Sequence, residues 1–444
     1  MSPKTLSNSE FILPSPTSLE ERIKFLDVVR GIAVFGILVM NITGMGQPFG
    51  LYNTMDLSKP LTGPNFYTWV IQMSVFQGIM RGLFSLLFGA GAVLLLDRLE
   101  KKESATSAAD IYYRRLLWLI LLGVINAYVF LWSGDILYFY AILGLVLFPF
   151  RKMSPRRLLI PILVVLLFGT WRETCMQNDR KELIAKGRLA DSLVSHGQNL
   201  SPQMTADQEK WLAFKKENNA DAIIKKANKD IATIQNASPS GLTKVVWAQS
   251  ARMESSLLFN GWWDMLLFFF VGMAFYKSGF LAGLGKTWVY LLVAVVGLSV
   301  GFCADYFELR GIYHARFDHV KITEDAPAIA FNQLKRVFQV SGTLSLLVLL
   351  YRVRVLRGFL NIFSPVGQMA LTNYLGQSII AAIVFFGMGW YGRWERYQLM
   401  EFCVAVWIFQ IIFSAAWLKY FKFGPFEWAW RSLTYLKWQG FRTE

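Results

Sequence analysis

Long apolar stretches divided by short basic punctuation constrain this chain more than any other feature. A helix of about 20 apolar residues crosses a hydrocarbon core of about 30 Å. Helices are expected rather than strands, because each satisfies its own backbone hydrogen bonds in lipid. Ten such stretches lie near residues 25–44, 79–97, 115–133, 136–150, 157–172, 257–276, 287–306, 336–352, 365–387 and 399–418. The fourth and fifth are short and can tilt, kink or sit partly inside the bundle. The expected fold is an all-α polytopic membrane protein of about ten transmembrane helices. Composition agrees: 54% of the 444 residues are hydrophobic and only 17% are charged, against roughly 25% charged in soluble domains.

The formal charge of +15 would suggest nucleic acid in a soluble chain. Here the Lys and Arg residues sit between apolar blocks, so they read as topology signals and contacts to anionic lipid; no nucleic-acid partner is expected. One set of loops holds Arg98, Lys101, Lys102, Arg114 and Arg115, then Arg151, Lys152, Arg156 and Arg157, then Lys277 and Lys286, then Arg352, Arg354 and Arg357. The tail adds Lys419, Lys422, Arg431, Lys437 and Arg442. The alternate loops are poor in them: Lys59 in the first, none in Trp132–Asp135, Arg393 and Arg396 in the last. Both termini are therefore expected on the cytoplasmic side of the membrane. Residues 1–24 are polar and lack the apolar core of a signal peptide, so the first span is expected to act as an uncleaved insertion signal. Cys175, Cys303 and Cys403 are scattered, which argues against a disulfide framework or a zinc site.

The chain divides into a cytoplasmic segment 1–24, five spans within 25–172, a polar insertion 173–256, five more spans within 257–418 and a basic tail 419–444. The insertion falls on the outer side despite its charges, since long loops translocate largely regardless of charge. Ala220, Ile223, Ile224, Ala227, Ile231 and Ile234 follow helical spacing in it. Thr205 followed by Gln208 is a candidate cap for a helix carrying Trp211, Leu212 and Phe214. A small helical cap over the outer face is expected, with a flexible insertion as the alternative. In a second outer loop, His314, Arg316, Asp318 and His319 have spacing that a metal can use, but a solvated loop is the more ordinary reading and no metal site is expected.

Ionisable residues inside a span cost several kcal/mol unless paired, so each raises a functional question. Asp27 and Arg30 stand three apart at the start of the first span and can face each other. They form either a local ion pair or a phosphate or cofactor contact. Nearer the outer side, Asn41, Arg81, Asn126, Asp135 and Asp264 come from five spans at similar depth. Arg81 can neutralise Asp135 or Asp264, and the asparagines can donate or accept. Such a cluster is either a network that fixes helix packing or the lining of a ligand cavity open to the outer side. Trp132, Trp262 and Trp263 either line that cavity or form an interfacial belt. Gly89 and Gly91 permit close helix contact. Asn373 and Gln377 share one face of the ninth span, where packing is the simpler reading and lining a passage the other.

Three stretches together, LDVVRGIAVFGILVMNI, MRGLFSLLFGAG with GVINAYVFLWSGDILYFYAILG, and GQMALTNYLGQSII followed by GPFEWAWRSLTY, resemble the YeiB-like family of bacterial inner-membrane proteins, classed by a domain of unknown function. The resemblance covers nearly the whole chain apart from the insertion. The first span is also similar to that of the transmembrane acyltransferase superfamily, whose scheme passes an acyl group from a cytoplasmic acyl-CoA to an acceptor on the far side. Acyltransferase-3 proteins show arginine, ten residues, then histidine; Arg30 and Asn41 keep the spacing with asparagine. The heparan N-acetyltransferase type is similar here, with asparagine at this step and its histidine in the following segment. Residues 42–80 contain no histidine. YeiB-like proteins often show GxxH in the third span, where GVIN puts Asn126.

The only histidines are His196, His314 and His319, all in outer loops. Histidine is the favoured base near neutral pH, whereas asparagine can only orient a group or stabilise an oxyanion. The resemblance thus implies an acyltransferase-like protein acting on a lipid-linked or envelope acceptor at the outer face. Arg30 would contact an acyl-CoA donor, Asn41, Arg81 and Asn126 would shape the acceptor pocket, and Asp135 or Asp264 would supply the base. The alternatives are a transporter or exporter of a small or amphiphilic molecule and a membrane scaffold. A cavity joining both faces and narrowed at Asn41 would favour acyl transfer. A midplane cavity between movable bundles would favour transport, and a filled bundle with Arg81 fully paired would favour packing.

Overall fold

The computed structural model describes residues 24–55, 61–101 and 107–443; the polar N-terminal segment up to residue 23, Lys59 and Lys102 lie outside them. In chain order the helices are α1 (Lys24–Gly46), α2 (Pro64–Ile71), α3 (Ile79–Lys101), α4 (Ala108–Tyr128), α5 (Leu137–Leu145), α6 (Pro155–Ser195), α7 (Pro202–Asn218), α8 (Ala220–Gln235), α9 (Pro239–Asn260), α10 (Trp262–Lys277), α11 (Thr287–His314), α12 (His319–Asp325), α13 (Asn332–Arg352), α14 (Arg354–Leu360), α15 (Ser364–Gln368), α16 (Ala370–Ala381), α17 (Arg396–Tyr420) and α18 (Pro425–Tyr435). The protein is an all-α polytopic membrane protein. Among the described residues, seven helical stretches are long and apolar enough to cross a membrane, and the α9–α10 pair, bent by 64°, makes an eighth.

The remaining two expected spans are α4 and α5. The first has 21 residues but carries Asp110, Arg114 and Arg115 in its first two turns. The second has nine residues followed by a 3-10 turn at Phe148–Phe150. At 1.5 Å per residue nine residues reach only about 14 Å, so α5 is a half-span. It lies inside the bundle, with Phe139, Tyr140 and Ala141 buried.

Burial sorts the long helices. The apolar stretch of α1 is 83% buried, whereas those of α6 and α11 are 22% buried. A helix apolar on every face belongs in the middle, and α1 packs against α3, α15, α16 and α17. Leu159, Ile160, Leu163 and Val164 on α6, and Leu291, Leu292 and Val295 on α11, are exposed. Continuous apolar faces of this size mark contact with lipid. Glycines let the inner helices approach closely. A Cβ on Gly272 of α10 would lie 1.8 Å from the Leu86 carbonyl oxygen of α3, and one on Gly89 of α3 would lie 2.0 Å from the Phe269 oxygen. Gly91 has open space instead, so only one of the two glycines expected at a helix contact serves that purpose.

The long helix α6 runs unbroken from the bundle into the insertion. The insertion continues through α7, α8 and α9, whose N-caps Ser201, Asn219 and Ser238 accept from Met204, Asp221 and Gly241 backbone N–H groups. The expected Thr205 cap is thus displaced four residues: Ser201 precedes Pro202, whose fixed φ suits the first helical position, and the Thr205 hydroxyl bonds back to the Ser201 carbonyl. Ala220 and Ala227 of α8 are buried, and Gln235 Nε2 donates to the Tyr391 oxygen at 2.7 Å. Trp247 Nε1 and Ser250 Oγ of α9 donate to the Tyr128 and Ala127 oxygens. The insertion is therefore docked on the bundle at the ends of α4 and α16–α17.

Candidate functional site

Among the described residues, two large cavities lie in the bundle, one toward the insertion and one toward the chain termini. The insertion-side cavity has a volume of about 520 Å³. Its walls include Asn41 of α1, Arg81 of α3, Glu173 of α6, Leu257 of α9, Arg336 of α13 and Trp132 of the α4–α5 loop. Arg81 stands just beyond a break in its helix: a π-helical turn spans Gln72–Phe76, and Gly78 has φ 76°. Its Nη2 meets Asp264 Oδ2 of α10 at 2.6 Å, and Arg336 Nη1 binds Asp264 Oδ1. One carboxylate thus serves two guanidinium groups. Asp264 does not line the cavity; it holds the cations that do. Nearby, Lys335 is paired with Asp305 at 3.0 Å and Glu308 at 2.5 Å.

Asn126 and Asp135 form a second group, behind the wall made by Gly134 and Ile136. Asn126 Nδ2 donates to Asp135 Oδ1 at 2.7 Å, Tyr374 Oη to the same oxygen at 3.3 Å, and the Tyr138 N–H to Oδ2 at 2.9 Å. Arg81 therefore neutralises Asp264 and not Asp135. The five polar groups expected together form two adjoining clusters. Asn41 and Arg81 line the cavity, and Asn126, Asp135 and Asp264 sit behind it. Asn41 Nδ2 and Arg81 Nε are buried without hydrogen-bond partners among the described residues. Orphaned buried donors are costly and suit a polar ligand.

The termini-side cavity has a volume of about 250 Å³. Arg30 and Arg115 stand on its walls, with Phe84, Leu87, Phe88 and Leu119 as apolar lining. Arg30 is bonded to Asp27 at 2.7 Å and is half-buried. The Arg115 guanidinium lies over the Trp430 ring at 3.7 Å. Glu427 of α18, also on the wall, accepts from the Leu371 and Thr372 backbone N–H groups and the Thr372 hydroxyl. It caps the N-terminus of α16 with a charge of the favourable sign.

Between the cavities lies one layer of side chains. Tyr140 and Tyr374 line the termini-side cavity, while Arg81 and Ile136 line the other. The Tyr140 hydroxyl lies 2.6 Å from Ser85 Oγ and donates to the Arg81 carbonyl at 3.2 Å. The Ile136 N–H donates to Tyr374 Oη at 3.2 Å. Asp135 sits in this layer.

Asn373 and Gln377 line neither cavity. Asn373 Nδ2 donates to Val366 O and Ser414 Oγ, and Gln377 Nε2 to Gln410 Oε1, so both bind α16 to its neighbours. His314 bonds to Arg310, Asp318 caps α12, and His319 lies 3.2 Å from Thr54 Oγ1. Among the described residues no three metal-ligating side chains converge.

From sequence Arg115 reads only as a loop charge, and Glu173 and Arg336 do not stand out. Arg336 is the first residue of its expected span, and Glu173 the first of the insertion. Both stand where an apolar run meets charge, and that junction is the signal. Arg396 was read as a loop charge. It is buried and bonds Gln72 Oε1 at 2.8 Å and the Leu51 carbonyl, tying the rim that carries Tyr52 and Asn53 to α17.

Residues 275–437 match the family described as "Protein of unknown function (DUF418)". The chain is 31% identical over 453 residues to "Uncharacterized protein YxaH" of Bacillus subtilis (strain 168), covering 96% of this chain and 97% of the relative. It is 28% identical over 432 residues to "Uncharacterized protein YeiB" of Escherichia coli (strain K12), covering 93% and 96%. A third relative is the "Uncharacterized 39.9 kDa protein in amylase 3'region" of Bacillus acidopullulyticus, 25% identical over 427 residues. No solved structure matches the chain.

Proposed function

The chain belongs to the family of YxaH and YeiB, and on that premise we propose that it transfers an acyl group across the membrane, from a donor in the termini-side cavity to a polar acceptor in the insertion-side cavity. The observation that carries this reading is the pair of opposed cavities separated by a single layer at Tyr140, Tyr374 and Arg81. The donor is an acyl-CoA. Its anionic groups would meet Arg30 and Arg115, and its acyl chain the apolar wall. The acceptor is a lipid-linked or envelope molecule with hydroxyl or amine groups, which Asn41 and Arg81 can orient. Asp264 acts as counter-ion to the cavity's arginines. Asp135, in the dividing layer, is placed to orient Asn126 and Tyr374.

The protein sits, in this reading, in the bacterial cytoplasmic membrane with both termini cytoplasmic and the insertion outside. Lysine and arginine asymmetry supports that orientation, and reporter fusions at the C-terminus and within residues 198–201 test it. The functional test is calorimetric titration of the purified protein with a panel of short and long acyl-CoAs. Saturable binding lost in Arg30→Ala supports the proposal; absence of binding across the panel by folded protein refutes it.

Transport is the second reading. It is favoured by helices interrupted beside the cavities, at Gly78, at Gly261 and between α15 and α16, since discontinuous helices mark transporter sites. Substrate-dependent exchange of the two cavities between open and closed states, with no acyl transfer, would select it.

A further inference from the structure

We infer that Glu173 is the general base that activates the acceptor in the insertion-side cavity, an inference that rests on the acyl-transfer reading above. The carboxylates around the two cavities differ in how their oxygens are engaged. Both oxygens of Asp264 are bound by arginines. Both oxygens of Asp135 accept hydrogen bonds. Asp305 is bound through one oxygen to Lys335 and through the other to Gln339. Glu308 is ion-paired with Lys335 through Oε2 and its side chain is exposed; at the other cavity Asp27 is paired with Arg30 and Glu427 caps α16 through both oxygens.

Glu173 differs. Its Oε1 is held by Gln333 Nε2 at 2.7 Å and Trp263 Nε1 at 3.2 Å. Its Oε2 is buried with no hydrogen-bond partner among the described residues, and the residue lines the cavity. The carboxylate is therefore oriented through one oxygen and keeps the other for a proton. Its two donors are themselves buried, and Gly169, one turn earlier on α6, leaves the room that Trp263 fills. Asn41 Nδ2 and Arg81 Nε, unpartnered on the same cavity, are donors of the kind an oxyanion needs.

In the step, Glu173 Oε2 takes the proton from the acceptor O–H or N–H. The freed electron pair forms a bond to the acyl carbonyl carbon, and the carbon–sulfur bond of the thioester breaks with its electrons on sulfur. The thiolate then takes up a proton, and Glu173 returns its own to solvent; nothing is oxidised or reduced. A donor held at Arg30 must reach past the Tyr140–Arg81 layer, so Arg30 governs KM and Glu173 governs kcat.

The test uses the full chain in lipid nanodiscs, acetyl-CoA as probe and water as acceptor, with release of free thiol as the readout. Wild type is expected to release thiol above empty nanodiscs. Glu173→Gln keeps an acceptor oxygen for Trp263 and Gln333, so it should fold and bind acetyl-CoA as wild type does. Its kcat should fall about 100-fold or more, as loss of a general base does, with KM within about twofold, and the acid limb of the pH–rate profile should vanish. Sodium formate should restore part of the rate to Glu173→Ala. A Glu173→Gln kcat within about threefold of wild type overturns the assignment, as does a loss that leaves the pH profile unchanged and is not rescued by formate. Wild type that releases no thiol overturns the acyl-transfer reading itself, and the inference with it.

Discussion

Replacing Asp264 with asparagine tests the electrostatics of the insertion-side cavity most directly. The substitution keeps shape but leaves two guanidinium groups facing a neutral amide. Removing one partner of a buried ion pair costs about 3–5 kcal/mol, because the remaining charge stays desolvated. The share due to Arg81 is screened, since its side chain is 36% exposed and surface pairs contribute little. The Arg336 side chain is 16% exposed and that of Asp264 9%, so this pair carries most of the effect. The expected destabilisation is near the lower end, about 3 kcal/mol, or roughly a 100-fold fall in the folded-to-unfolded ratio. The assay is reversible unfolding in mixed micelles with increasing dodecyl sulfate, followed by tryptophan fluorescence. Arg336→Met added to Asp264→Asn should recover about 1 kcal/mol or more, because it removes the uncompensated cation. A single variant within about 0.5 kcal/mol of wild type, or a double variant equal to the sum of the singles, refutes the shared-counter-ion argument.

Gly272→Val should force α3 and α10 apart, since even a Cβ would lie 1.8 Å from Leu86 O; overpacking of this kind costs about 1–3 kcal/mol. Thermal unfolding should show the loss, while Gly91→Ala, with open space around it, stays near wild type. Glu427→Ala removes charge-assisted bonds to α16, each of the class worth about 1.5–3 kcal/mol, and hydrogen exchange at Leu371 and Thr372 should rise, less so in Glu427→Gln. In the insertion, hydrogen bonds from Trp211 and Gln208 hold the Asp191 carboxyl below its ordinary pKa. Its contribution is thus present above the unfolded-state value near 4 and is lost as pH falls through the folded one. Trp211 fluorescence should report loosening of α6 from α7 in that acid window, and Asp191→Asn should weaken the pH dependence.

The membrane bundle was legible because apolar run length is a direct physical requirement of lipid. The insertion's helices were legible where spacing is strong, as in α8. Helix starts were less so: the Thr205 cap lost to Ser201 because a serine before proline is the better start, a signal repeated at Ser154–Pro155 and Ser238–Pro239. Run length also said little about α5, where a buried half-span and a full span read alike. For the site, Asn41 and Arg81 stood out as polar residues within apolar runs. Glu173 and Arg336 did not, because at the edge of a run a charge is ordinary and only the third dimension shows where it points. Pairing is likewise invisible in one dimension: Asp135 and Asp264 were equivalent partners for Arg81 until the helices packed.

The continuity of α6 makes it a lever. Its 41 residues measure about 62 Å end to end, twice the thickness of the hydrocarbon core. From Glu173 to Ser195 is about 33 Å of rigid helix, so a 5° change of tilt in the bilayer moves the far end by about 3 Å. Helices tilt to match bilayer thickness. Bilayer thickness is therefore expected to move the far half of α6 and the α7 packed on it, and distances measured between labels on α7 and α1 should differ in thin and thick bilayers.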